Sequence, residues 1–285
     1  MTPFELLEPE SLREAAGLLA SGELADRPVA GGTAVMLMMK MGVLRPRRLV
    51  SLRTVEKRYS EIRGADGGLR IGAMTTLSAL ERSPAVRSQA PVITRALRTL
   101  SNVRVRNVAT VGGHLAHADP HLDLPPVLIA LGAGVSTVDP TGGRTLPLEK
   151  LYSGYLETTL GRGELIAEVS VPAQGTRRAA YLKCTTRSMD DWPALGVAVV
   201  LEAEGVHVRS ARVVISAATD TPTRLLKTEE TLRGARVDDG VLRRAGDAAV
   251  SEAIVVGDEH GSAAYKRELL RVYVGRAIRQ ALAGE

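Results

Sequence analysis

Apolar residues recur at helical spacing near the start of the chain, where Leu12, Ala15, Ala16, Leu18 and Leu19 fall on one side of a 3.6-residue repeat. Ser11 precedes them with Glu14 three positions on, the form of a capping box, so the pattern predicts a helix over residues 11–21. Arg27-Pro28-Val29-Ala30 reads as a short strand running into Gly31-Gly32, and Thr33 is placed to cap a helix over Ala34 to Met41. That helix carries Met36, Leu37, Met38 and Met39 in succession and is expected to be buried as core, not as a cofactor box. Leu49-Val50-Ser51-Leu52 predicts a second strand, which makes the first fifty residues a compact αβαβ unit.

Further on, Leu69 to Ala73 predicts a strand, Thr75 to Leu80 a helix start, and residues 91–101 a helix. Val103-Arg104-Val105 reads as extended. Residues 127–138 are apolar and broken by glycine, with Val135-Ser136-Thr137-Val138 a strand. Residues 164–172 alternate apolar with polar and end at Pro172, the signature of an edge strand. Ala173-Gln174-Gly175-Thr176 then marks a boundary between domains over 1–175 and 176–285, the first divided into parts of about 1–55 and 56–175. Beyond the boundary, residues 179–185, 194–204 and 206–216 predict three antiparallel strands, with Glu204-Gly205 as a hairpin turn. Helices over about 224–234 and 262–282 are expected to cover one face of that sheet. The whole reads as an α+β protein without internal repeats.

Composition narrows the function. With 285 residues and 45% apolar content the chain can bury a large core. No apolar run approaches the roughly 20 residues of a membrane helix, and the start Met1-Thr2-Pro3-Phe4-Glu5 has no basic region, so a cytoplasmic protein is expected. The single cysteine, Cys184, excludes a disulfide framework and the several thiolates that usually hold an iron–sulfur cluster. Cys184 reads as a small buried hydrophobe in its strand. A net charge of +5 could suit nucleic acid, but the arginines are spread along the chain, and 3% aromatic content is too little for base stacking. A basic face for a dinucleotide or an acidic partner is the better reading.

Two glycine pairs carry the chemistry. Ala30-Gly31-Gly32-Thr33-Ala34 and Thr110-Val111-Gly112-Gly113-His114 stand far apart in the chain. Glycine lets backbone approach a diphosphate closely and turn successive N–H groups toward one oxygen. The first pair also opens a helix, whose unpaired amides favour an anion, and Thr33 and Thr110 could add hydroxyl donors. Each pair alone is more often a tight turn. Neither a Gly-x-Gly-x-x-Gly nor a Gly-x-x-x-x-Gly-Lys-Ser/Thr string is present. Three imidazoles, His114, His117 and His121, stand close enough to test for zinc, but Gly112-Gly113 and Pro120 argue for an irregular loop, and no metal site is expected. Arg104 and Arg106, with Asn107, could meet a partner or a cofactor, but solvated arginines are the default reading. No Ser/His/Asp or Cys/His arrangement supports covalent catalysis.

The strings Val29-Ala30-Gly31-Gly32-Thr33 and Asn107-Val108-Ala109-Thr110-Val111-Gly112-Gly113-His114-Leu115-Ala116-His117-Ala118-Asp119-Pro120, followed by Leu122-Asp123-Leu124-Pro125, resemble the FAD-binding medium subunit of the molybdenum hydroxylases. That family includes carbon monoxide dehydrogenase, xanthine dehydrogenase and 4-hydroxybenzoyl-CoA reductase, and the resemblance covers essentially the whole chain. It implies a two-part FAD-binding α/β domain of the vanillyl-alcohol-oxidase type, then a C-terminal domain with a three-stranded antiparallel sheet and helices. It implies that Ala30, Gly31, Gly32, Thr33, Ala34 and Val35, with Thr110, Gly112, Gly113 and His114, wrap the FAD pyrophosphate, and that His117 makes a polar contact. Asp123 matches an acid on the cofactor's hydroxyls, Leu100 a position that packs near the adenine or flavin, and Ile166 another backbone contact. A third segment, Tyr181 to Ala194, places Lys183 at the flavin and Trp192 against the isoalloxazine face.

The implied function is electron transfer within a heterotrimer. A large molybdopterin-binding subunit would oxidise substrate, a small subunit with two [2Fe–2S] clusters would relay electrons, and this chain would pass them from FAD to NAD, a quinone or oxygen. A flavin suits that place because it collects electrons singly and delivers them in pairs. The alternatives are a stand-alone FAD-dependent oxidase or reductase, which would turn over without partners, and a basic scaffold or nucleic-acid binder, which would be colourless and salt-sensitive.

Overall fold

The computed structural model describes residues 2–65 and 67–284. The chain begins with a small parallel sheet of β1 (Glu5–Leu7), β2 (Arg27–Val29) and β3 (Arg48–Ser51) in the order β1-β3-β2, crossed over by α1 (Leu12–Ser21) and α2 (Thr33–Lys40). The expected αβαβ unit therefore gains a leading strand, three residues long and too short to show an alternation. Ser11 caps α1 as expected by accepting from the Glu14 N–H at 3.1 Å, but the Glu14 carboxylate accepts from the Glu10 N–H instead of closing the box. Leu12, Ala15, Ala16 and Leu19 bury against Val50 and Leu52 of this sheet and Leu165 and Ala167 of the next. In α2 only Met39 is fully buried, and Leu37 is 58% exposed, which corrects the buried-helix expectation. The helix has no polar face to show, and its packing covers one side only.

A five-stranded antiparallel sheet follows, from β4 (Ile62–Ala65), β5 (Gly68–Gly72), β6 (Gly134–Val138), β7 (Thr145–Pro147) and β10 (Leu165–Pro172), in the order β4-β5-β10-β6-β7. A two-stranded hairpin, β8 (Tyr152–Gly154) and β9 (Glu157–Thr158), lies between β7 and β10 in the chain. β10 is the central strand, not an edge. Pro172 misled because it stands at the last paired position, opposite Gly68, where a missing N–H matters least. The apparent alternation also breaks at a bulge between Ile166 and Glu168. Six helices pack around this sheet: α3 (Leu77–Arg82), α4 (Pro84–Gln89), α5 (Pro91–Leu97), α6 (Val103–Arg106), α7 (Val111–His117) and α8 (Leu124–Leu131). Residues 103–105, expected to be extended, form a helical turn because the Asn102 side chain accepts from the Arg104 and Val105 N–H groups. All eight residues of α8 are buried, and Gly132 ends the helix at φ +85°.

The last sheet has four antiparallel strands, not three: β11 (Arg178–Cys184), β12 (Leu195–Glu204), β13 (His207–Ser216) and the two-residue β14 (Thr223–Arg224), in chain order. α9 (Leu226–Leu232), α10 (Asp239–Glu252) and α11 (Ala263–Ala283) cover one face. α10 lies outside both predicted helices. On β12, Val197, Val199 and Leu201 join the cluster under these helices, whereas Ala198 and Val200 join the cluster that contains α5 and α8. Both faces of the strand are therefore buried, which is why it reads as a continuous apolar run. Leu128→Ala in α8, where the side chain is fully buried, should cost about 2–5 kcal/mol by leaving a cavity between this sheet and the five-stranded one. Chemical denaturation followed by circular dichroism measures that loss.

Candidate cofactor-binding cleft

β2 delivers the chain into the first glycine turn, and Gly32, at φ +74°, starts α2. Thr33 does not cap the helix as expected; it is the first helical residue, and Gly32 occupies the cap position without any side-chain hydrogen bond. Among the described residues the N–H groups of Gly31, Gly32, Thr33, Ala34 and Val35 have no protein acceptor, and Met36 N–H is the first to bond back, to Gly32 O at 2.9 Å. The positive end of α2 thus offers a run of unspent donors, the arrangement that binds an anion.

The second glycine pair is built differently. Thr110 caps α7, its hydroxyl oxygen accepting from Gly113 N–H at 3.2 Å. Val111 N–H donates to Thr75 O and Gly112 N–H to Ala73 O, at 2.9 and 2.7 Å. His114 N–H donates to Thr110 O. The amides at the start of α7 are thereby satisfied within the protein, and a chain of bonds continues from Ala73 N–H to Ala167 O, beside Ile166. Residues 111–117 are helical where an irregular loop was expected; the loop begins only at Ala118, whose φ is +54°.

Tertiary folding joins the two turns. A Cβ on Gly31 would fall 2.0 Å from the Val108 carbonyl oxygen, so only glycine permits this approach. A Cβ on Gly113 would lie 3.7 Å from that of Ala30, across the same joint, and Gly113 is exposed there. Gly112 is needed for another reason, since its Cβ would meet Ala73 at 2.6 Å. Charge follows the same geometry. Residues 27–55 carry six Lys and Arg and no Asp or Glu, and residues 82–118 carry six Arg and no acid. The basic positions are spread along the chain, but acids are excluded from both segments that meet here, which favours an anionic ligand.

His114 lies in α7 with its Nε2 buried and unpartnered, and burial pushes its imidazole down to about 3. His117 is shifted down too, again chiefly by burial. Neither belongs with His121, which stands after the helix and bridges Asp119 and Asp258, each at 2.9 Å. Asp258 also pairs with the fully buried Lys266. No three His, Cys, Asp or Glu side chains among the described residues converge as a metal set.

Elsewhere in the chain, Asp123 and Lys183 meet in a buried pair at 2.9 Å. Lys183 also donates to Thr99 O at 2.9 Å, and Tyr181 donates to the second Asp123 oxygen at 2.5 Å. Burial is the largest influence on Asp123 and raises its pKa, opposed by Lys183 and Tyr181. Leu100 is buried next to Thr99, and its carbonyl, with that of Ser101, accepts from Arg106. Arg106 is not solvated as expected; it also pairs with Glu81 at 3.0 Å. Ser101 is held at φ +52° in this pinned turn. Trp192 is 43% exposed and packs on the His121 ring at 5.3 Å. Arg187 pairs with Asp191 beside it. Cys184 is buried in β11. The sequence gives no sign that Tyr181 bonds Asp123, that Arg106 bonds Glu81, or that His121 bonds Asp258 beside Lys266. What it does place together is Tyr181 and Lys183, two residues apart and so on the same strand face.

Comparison with known proteins identifies the family. Residues 2–174 match the family described as the FAD binding domain in molybdopterin dehydrogenase, and residues 180–281 match the CO dehydrogenase flavoprotein C-terminal domain. The chain therefore belongs to the FAD-binding medium subunits of the molybdenum hydroxylase family, and it is the FAD-holding component of an oxidoreductase. It is 32% identical to the carbon monoxide dehydrogenase medium chain of Hydrogenophaga pseudoflava, over 98% of this chain and 97% of the relative. It is 27% identical to the glyceraldehyde dehydrogenase medium chain of Sulfolobus acidocaldarius, over 97% and 98%. Among solved structures, carbon monoxide dehydrogenase from Hydrogenophaga pseudoflava superposes with a TM-score of 0.95 at 32% identity, covering 99% of each chain. Quinoline 2-oxidoreductase from Pseudomonas putida 86 gives 0.93 at 26% identity, covering 99% and 98%.

The cleft yields two predictions. Gly31→Ala should part the two turns and weaken FAD retention at least tenfold, read by flavin released on gel filtration of the assembled protein. His114, neutral when folded, should take up a proton on unfolding between about pH 6.5 and 3, so stability falls as the pH drops through that window. His114→Phe should flatten this acid limb in denaturation curves collected across the range.

Proposed function

We propose that this chain is the electron-transfer subunit of a heterotrimeric molybdenum hydroxylase. It takes electrons from [2Fe–2S] clusters on a small partner and passes them to an external acceptor, NAD, a quinone or oxygen, while a large molybdopterin-binding partner oxidises the substrate. The observation that carries the reading is the joint between the glycine turns, where a run of unspent amides stands beside segments free of acids. FAD fits it: Gly31 to Val35 would supply the amides for the pyrophosphate, and Thr110 to His114 would form the opposing wall, with Gly113 open toward Ala30. Leu100, Ile166, His117, Asp123, Lys183 and Trp192 would line the rest. We take residues 1–175 as the cofactor-binding domain and 176–285 as the second.

Partners follow from what the chain lacks. Its one thiol is buried in a strand, so clusters must be held elsewhere. Bound FAD supplies the redox chemistry, and the protein contributes position and electrostatic tuning. No helix among the described residues is long and apolar enough to cross a membrane, and we place the assembly in the cytoplasm. The 6-hydroxypseudooxynicotine dehydrogenase complex subunit alpha of Paenarthrobacter nicotinovorans, 31% identical over 98% of this chain, is named as part of a complex, which supports assembly here.

The test is to purify this chain through a tag from its native cytoplasm and assay flavin, iron and molybdenum in the eluate. Copurifying chains with all three are expected, and flavin turnover by the chain alone would favour a stand-alone oxidase or reductase. Gly32→Val should abolish flavin in the same preparation, since a branched side chain at φ +74° would distort the turn. Normal flavin occupancy in that variant would remove the loop assignment.

A further inference from the structure

β11 turns one face, carrying Ala179, Tyr181 and Lys183, toward the cofactor-binding part of the chain. Tyr181 lies opposite Ala198 and Lys183 opposite Gly196 on β12. The absence of a side chain at Gly196 is what admits the Tyr181 hydroxyl. A Cβ there would stand 2.7 Å from that oxygen and 2.4 Å from the Ser216 hydroxyl oxygen. In the space so left, Tyr181 donates to Asp123 at 2.5 Å, and the other Asp123 oxygen meets Lys183. Lys183 is held in turn on Thr99 O, next to Leu100. Two side chains of one strand thus converge on one carboxylate, and the side chains of both charged partners are 6% exposed.

A buried pair in which each charge cancels the other presents little field to its surroundings, while a neutral donor on the acid disperses part of the negative charge. We propose that Tyr181 is a positioning residue for the redox group: by hydrogen-bonding Asp123 it sets how much of the Lys183 charge is left uncompensated at the flavin end of the cleft. This rests on the proposed function, which puts Lys183 at the flavin. Positive charge there favours the reduced, anionic flavin. Removing the hydroxyl concentrates negative charge on Asp123, which then offsets more of the Lys183 field and makes the flavin harder to reduce. It also removes one of the influences that oppose burial at Asp123, so its carboxyl protonates at higher pH.

The experiment is a spectroelectrochemical titration of the flavin in the complete tagged assembly, over a range of pH. Tyr181→Phe keeps the ring and should lower the two-electron reduction equilibrium up to about tenfold, about 30 mV, and move its acid-side pH dependence upward. Gly196→Ala, which displaces the hydroxyl from outside, should shift both in the same direction. Full flavin content with unmodified potential and pH profile in both Tyr181→Phe and Gly196→Ala overturns the proposal alone. Loss of flavin from both would make Tyr181 a binding residue and overturn it as well. An unmodified assembly without flavin would instead remove the functional reading on which it stands.

Discussion

The cleft depends on one close approach, the backbone of Gly31 against the Val108 carbonyl. It brings the N-terminus of α2 onto the segment that leads into α7, and neither glycine turn makes a site without it. Peptide groups that approach this closely leave no room for a Cβ, so the constraint is steric and local, while its consequence spans two sheets. The turns then divide the work. One leaves its amides free for an anion, and the other spends its amides on holding α7 against Ala73 and Thr75. A rigid wall beside an open donor array is preorganised for an anion, because the donors need no reorganisation to meet one.

Polar groups around the cleft are paired in a way that costs little motion. Arg106 ties Leu100 and Ser101 carbonyls to Glu81, Lys183 ties Thr99 O to Asp123, and His121 ties Asp119 to Asp258. Buried charges of this kind contribute little net stability, since desolvation offsets their attraction, but each partner's loss leaves an uncompensated charge. Their value is positional. The turn at residues 99–101 is held from both sides by cations, Lys183 from β11 and Arg106 from α6, and Lys183 also holds Asp123 at the start of α8.

The C-terminal sheet serves as the back wall of that arrangement. Because β12 buries alternate residues in two different clusters, the sheet joins its own helices on one face to α8 and α5 on the other. A shared core of this kind keeps β11 in register with the cleft, and so fixes where Tyr181 and Lys183 point.

Local chemistry was legible in the chain. The Ser11 cap, the paired hairpin strands of the C-terminal sheet, the glycine pairs and the string from Asn107 to Pro125 all announce themselves through neighbours only a few residues away. Other local signals carry two meanings: Pro172 reads as an edge marker though it ends a central strand, and Val103 to Val105 read as extended though Asn102 caps a helical turn. What only the tertiary structure decided is which distant groups meet: Gly31 with Val108, Ala30 with Gly113, Asp123 with Lys183 and Tyr181. Hydrogen-bonding pattern and hydrophobic period act over one turn or one strand, and so are written along the chain. Close contact between segments eighty residues apart is set by how whole sheets pack, and no single stretch of residues carries it.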